Sequence, residues 1–202
     1  MNTEHDQTSR ALLEAAHRLL ADHGSDALTV RRIATEAGMS TMNVYSRFGG
    51  KDGVIDELYI DGFTRLFGAI NAVPETDDFT ADLPMLAHVY RQFALDNPTY
   101  YKVMFRSAIR DFDPSPRATD LSLSGLARLV ERIQTAQDTG QVRKGDGYQA
   151  HEVAAWLWAS FHGLVSLELF GIGDEMVSWS SVFETGVRTA VDGLRPSLPA
   201  HN

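Results

Sequence analysis

Between Thr29 and Lys51 the chain carries two short apolar-periodic segments separated by a glycine, an arrangement that few folds accept. Val30, Ile33, Ala34 and Ala37 recur at helical spacing behind Thr29, a good N-cap, and predict a helix over about 30–36. Gly38 breaks it. Ser40 then caps a second short helix over about 41–47, anchored by Val44 and Phe48 and ended by Gly49 and Gly50. Two short helices joined by a tight glycine turn form a helix-turn-helix, whose members cross at about 90–120°. Ala34 is small where the two approach, and Ile33, Met39 and Val44 can fill the core between them. A helical hairpin with a polar outer face is the plainer reading of the same spacing.

The rest of the chain keeps helical periodicity. Leu12, Ala16, Leu19 and Leu20 mark a helix over 10–23, stopped by Gly24, and Lys51 opens a long one reaching about Asn71. After a polar, acidic connection from Pro74 to Asp82, helices are expected over 83–95, from Pro98 through Phe105, and over about 117–138, 147–170 and 174–194. No stretch longer than a few residues alternates as a strand would. The expected fold is all-α, with about nine helices: a helix-turn-helix domain over 8–55, a larger helical domain over 56–195, and a disordered tail over 196–202.

Composition narrows the chemistry. There is no cysteine, which excludes disulfides, thiolate metal sites and cysteine nucleophiles. The N-terminus has no apolar stretch of the signal-peptide kind, and no apolar run reaches the roughly 18 residues of a membrane span, so a cytoplasmic protein with no membrane partner is expected. No glycine-rich phosphate loop, nucleophile elbow or metal-spaced cluster is present, so no enzyme, metal or cofactor is expected. The formal net charge of −9 argues against a polyanionic partner, but its distribution does not. From Thr29 to Lys51, Arg31, Arg32, Arg47 and Lys51 face a single acid, Glu36. The body is acidic and this tip is basic.

The second short helix has the side chains that a major groove can accept. Thr41, Met42, Asn43 and Ser46 project from its N-terminal and outer face; Asn pairs bidentately with adenine, while Thr and Met meet a thymine methyl. Tyr45, Arg47 and Lys51 surround that face within reach of phosphates. Residues 8–67 resemble the DNA-binding domain of TetR-family regulators. The resemblance rests on Ala11 to Ala16, Gly24, Leu28 to Val30, Ile33-Ala34, Ala37 to Ser40, Val44-Tyr45, Phe48 and Gly50 to Asp52. It implies that Thr29, Tyr45 and Lys51 clamp phosphates. It also implies that Arg31, Thr41, Met42, Asn43 and Ser46 can meet bases, with Ser40 and Arg47 in the same interface. Many members carry an aromatic or histidine at the places of Ser46 and Arg47, so the operator cannot be borrowed from a relative.

The C-terminal half resembles a TetR-family type named for a Trp-His-Gly signature, through Tyr90 to Pro98, Tyr101 to Phe105 and Trp158 to Leu167. The resemblance implies a homodimer with a double-stranded DNA operator and a small-molecule effector, largely apolar. Tyr90, Phe93, Tyr101, Met104, Phe105, Trp158, Phe161 and His162 are the pocket candidates, although such residues at helical spacing also build cores. The helix at 147–170 is apolar nearly all round and needs cover on two sides. A dimer interface of the last two helices is expected to use Leu157, Leu164, Met176, Trp179, Phe183 and Val187. The function so implied is a ligand-responsive regulator, in the first instance a repressor, released from a palindrome by its effector. The alternative is a helical ligand-binding or interaction protein without sequence-specific DNA binding.

Overall fold

The computed structural model describes residues 6–105, 109, 111–145, 147–173 and 175–196. Among them, nine α-helices and a 3-10 turn follow one another with no strand, as the periodicity demands. They are α1 (Gln7–His23), a turn at Ser25–Ala27, α2 (Val30–Glu36), α3 (Thr41–Phe48), α4 (Lys51–Asn71), α5 (Phe79–Asp96), α6 (Pro98–Met104), α7 (Pro116–Asp138), α8 (Ala150–Leu169) and α9 (Trp179–Leu194). The expected tail lies outside the described residues except for Pro196.

Four helix starts shift by three residues or more from expectation, each with a polar group at the boundary; α8 begins at Ala150 rather than 147, where Gln149 N donates to Glu152 Oε2 at 3.4 Å. Helix α1 begins three residues early because the Asp6 carboxylate accepts from Ser9 N at 2.7 Å. Helix α5 begins at Phe79, inside the expected connection, because the Asp78 carboxylate accepts from the backbone N–H groups of Thr80 and Ala81 at 2.9 and 3.1 Å. This places Pro84 inside the helix. Helix α9 begins only at Trp179, where Ser178 Oγ accepts from Ser181 N at 3.4 Å.

The chain divides into two compact units. The first runs to Arg65 and takes up again from Asn97 to Ser122; the second holds Leu66–Asp96 and the chain from Leu123 onward. The expected boundary at 55/56 falls within α4, inside the first unit. In the first unit, α4 is held by partners far along the sequence. Tyr100 OH donates to Asp61 Oδ2 at 2.6 Å, Ser115 N and Oγ donate to the Asp56 carboxylate at 2.8 and 2.7 Å, and Gly62 abuts Met104. Helix α1 supplies Leu12, Ala15, Ala16 and Leu19 to the core, and α4 supplies Val54, Ile55 and Leu58.

In the second unit α5, α8 and α9 pack around Phe93, Leu157, Phe161 and Phe183. The buried residues of α9, Phe183, Val187, Ala190, Val191 and Leu194, recur at i, i+4, i+7, i+8 and i+11, a single helical stripe. A Cβ on Gly186 would lie 2.9 Å from Leu164 Cδ1, so α8 and α9 approach closely there and a larger residue would move the Leu164 side chain. Arg91 of α5 forks onto Glu168 of α8, with Nε to Oε2 at 2.8 Å and Nη2 to Oε1 at 2.5 Å. Both side chains are 16% exposed.

Candidate nucleic-acid interface

The turn between α2 and α3 closes with two capping bonds. Gly38, at φ +67°, donates to Thr35 O at 3.0 Å, and Met39 N donates to Ala34 O at 2.8 Å. This is a Schellman cap, and its left-handed position favours a residue without Cβ. Ile33, Ala34 and Val44 are buried at the crossing. At the far end of α3, Gly49 takes the left-handed cap. Gly53 then lets α4 start directly against the end of α3: a Cβ there would sit 1.8 Å from the Phe48 carbonyl oxygen. That backbone-on-backbone approach fixes where Lys51 stands relative to α3.

The outer face of α3 is open. Thr41, Met42, Tyr45 and Ser46 are exposed, Met42 at 70% and Tyr45 at 56%. An open methionine at this position suits contact with a thymine methyl. Arg31 and Lys51 are also exposed, as is Thr29, whose Oγ1 caps α2 by accepting from Arg32 N at 3.2 Å. Glu36, the only acid of the segment, is paired with Arg18 at 3.1 Å.

Three expected site residues are less free than the sequence implied. Ser40 occupies the N-cap position of α3, yet its Oγ accepts from Asn43 Nδ2 at 3.3 Å and makes no cap bond to the backbone. Asn43 is half-buried and accepts from Arg47 Nη1 at 3.1 Å. Arg47 forks onto Asp6, with Nη2 to Oδ2 at 3.1 Å and Nε to Oδ1 at 3.3 Å. The Arg47 hydrogen bonds and the Ser9 backbone N–H hold the Asp6 carboxyl down at about 2. Asp6 was not among the expected site residues. Its sequence signal was the N-cap pattern that starts α1.

The eight pocket candidates fall into two groups. In the first unit Tyr101 and Met104 are buried, and Phe105 lies with its ring centroid 4.7 Å from that of Tyr101 and 6.0 Å from that of Phe63. In the second unit Tyr90, Phe93 and Phe161 are buried. There the Tyr90 hydroxyl and Ser166 Oγ stand 3.5 Å from the two ring nitrogens of His162, and Trp158 lies beyond, its ring 6.5 Å from the imidazole. Burial pushes the His162 pKa down, so the ring is neutral at neutral pH. Ser166 is a polar group that sequence reading passed over.

The dimer candidates need a larger correction. Leu157, Phe183 and Val187 are buried inside the second unit at 1%, 1% and 3% exposure, so they are core and not surface. Leu164 and Trp179 are half-buried, and Met176 is exposed. The exposed apolar face of α8 is a different stripe. Trp156, Leu167 and Phe170 are exposed, with half-buried Gly163 between the first two, and exposed Ile172 and Val177 follow. Among the described residues no helix is long and apolar enough to cross a membrane, and no group of three acids or histidines forms a metal site.

Residues 12–58 match the family model for bacterial regulatory proteins of the tetR family, and residues 83–190 match the tetracyclin repressor-like C-terminal domain. An HTH-type transcriptional regulator of Mycobacterium tuberculosis, Rv1816, is 24% identical over 214 residues and covers 92% of each chain. The chain is also similar to solved structures, among them two from Rhodococcus and Marinobacter. A protein of unknown function from Rhodococcus sp. RHA1 has a TM-score of 0.81 at 25% identity, over 97% of this chain and all of that one. A TetR family transcription regulator from Marinobacter aquaeolei VT8 has a TM-score of 0.72 at 20% identity, over 98% of this chain and all of that one. An exposed helix-turn-helix on an all-helical body defines a class of DNA-binding regulators. The second family match covers more than half of the sequence, and the chain belongs to the TetR family of transcriptional regulators, whose members bind DNA and dimerise.

Proposed function

We propose that this protein is a ligand-responsive repressor that binds a palindromic operator as a homodimer and leaves it when a small, largely apolar effector binds. The observation that carries the reading is the outer face of α3, where Thr41, Met42, Tyr45 and Ser46 stand exposed beside the cations Arg31 and Lys51. Base-reading and phosphate-clamping groups share one edge, which is what major-groove docking requires. The match to a tetracyclin repressor-like domain favours repression over activation. A dimer explains the exposed Trp156, Leu167 and Phe170 on α8 and its C-terminal cap, apolar side chains that a second helix would cover. For the effector, the apolar residues Tyr90, Phe93, Trp158 and Phe161 with the polar pair His162 and Ser166 supply walls and handles.

Release requires that the effector bind the off-DNA state better, by a coupling of about 1–3 kcal/mol. Helix α4 is the element to carry it, because it starts against α3 and ends in the second compact unit. The test is selection of bound duplexes from a random DNA pool at physiological salt. A recovered palindrome, with half-sites about 34–36 Å apart or a little more, supports the reading. Diffuse, salt-sensitive binding with no shared sequence would overturn it in favour of a helical module that does not read DNA.

A further inference from the structure

Arg47 is expected from sequence to reach the DNA backbone, yet its guanidinium is spent inside the chain. Two of its nitrogens donate to both oxygens of Asp6 and a third donates to Asn43 Oδ1. Asn43 Nδ2 donates onward to Ser40 Oγ. The chain of bonds is anchored at both ends, since Asp6 caps α1 and Ser40 opens α3. Arg47 is one turn beyond Asn43, so both lie on one face of α3. A planar fork matched to a carboxylate is the most directional ion pair that side chains make.

We propose that Asp6 is a positioning residue for DNA recognition: it holds Arg47 over α3, so that Arg47 orients the Asn43 amide instead of neutralising a phosphate. The inference rests on the DNA-reading role of α3 given above. An amide offers two N–H donors and two lone pairs. The internal bonds fix which end points where and use one donor and one lone pair. One of each remains, the pair that adenine's Hoogsteen edge accepts. Arg31, Arg32 and Lys51 are left to attract phosphate, while Arg47 with Asp6 and Glu36 with Arg18 are matched pairs.

The experiment is a double-mutant cycle of Asp6→Asn and Arg47→Gln, read as the salt dependence of binding to a short duplex of scrambled sequence. Asparagine caps a helix as well as aspartate does, so α1 keeps its start. Asp6→Asn is expected to steepen the slope of log K against log salt by about 0.9, one extra phosphate contact, and to raise affinity about two- to five-fold. Arg47→Gln alone is expected to keep the wild-type slope, and adding Asp6→Asn to it is expected to change nothing. With the selected operator, both single variants lose discrimination at the base pair that Asn43 meets. Steepening by Asp6→Asn that persists in the Arg47→Gln background overturns the proposal, because the acid then merely repels DNA. A wild type that binds duplex while all four proteins share one slope removes the proposal alone. A wild type that binds no duplex at low salt removes the DNA-reading assignment and the proposal with it.

Discussion

On the proposed function, single side chains divide the work at the interface. Asn43 has amide groups to spend on a base, whereas Lys51 is an exposed cation at the first turn of α4. Asn43→Ala is expected to cost about 1–3 kcal/mol at one base pair of the operator and little elsewhere. Lys51→Ala is expected to weaken every sequence alike and to flatten the salt slope by about 0.9. Equal, sequence-independent losses in both would erase the distinction between reader and clamp. A second residue-scale prediction concerns His88. Its Nδ1 faces Pro84 O at 2.5 Å and its Nε2 faces the Glu184 carboxylate at 2.6 Å. Both partners accept, so the doubly protonated, charged ring satisfies both bonds at once. The Glu184 hydrogen bond is the main cause that raises its pKa above 6.5. The stability it contributes is complete below the unfolded value and is lost as pH rises through the raised one. Burial depresses His17 and His162, whose contributions run the other way, present above 6.5 and lost as pH falls. The measurement is therefore comparative: between about pH 6 and pH 9, wild type should lose its advantage in urea midpoint over His88→Gln. A constant gap across that range would show that folding does not shift the pKa of the ring.

At the scale of elements, the helices were legible because apolar spacing survives in every one of them. Their ends were not, where a carboxylate at Asp6 or Asp78 decided the boundary from outside the apolar pattern. The ion pair between α5 and α8 was invisible for another reason: Arg91 and Glu168 are 77 residues apart, and nothing local marks either as a partner. Its removal should be costly because it is mostly withdrawn from water. Arg91→Met is expected to destabilise the protein by about 3 kcal/mol, chiefly by stranding Glu168, and Arg91→Met/Glu168→Leu to recover most of that loss. Denaturant titration of the three proteins checks it. A double variant no more stable than the single would mean that packing, and not the stranded charge, sets the cost.

For the whole molecule, apolar periodicity marks the outer face of α3 plainly and marks no single open face on α8. The face proposed to read DNA sits on eight consecutive residues of one helix, so its periodicity is self-contained. On α8 the apolar residues run nearly all round, and only packing tells Leu157, which is core, from Trp156, which is surface. If the exposed stripe is the dimer contact, Trp156→Glu/Phe170→Glu should sediment as a monomer, keep its helical circular dichroism, and bind a full palindrome no better than a half-site. A variant that remains dimeric places the contact elsewhere. One earlier detail bears on how such a regulator could be retargeted. The backbone of α4 touches the backbone of α3 at Gly53, with no side chain between them to act as a cushion. Redesign for a new operator can therefore treat Thr41, Met42 and Ser46 as a replaceable bit on a fixed shank. Any scheme that tilts α3 on α4 to follow a differently shaped groove would be working against a joint that has no play in it.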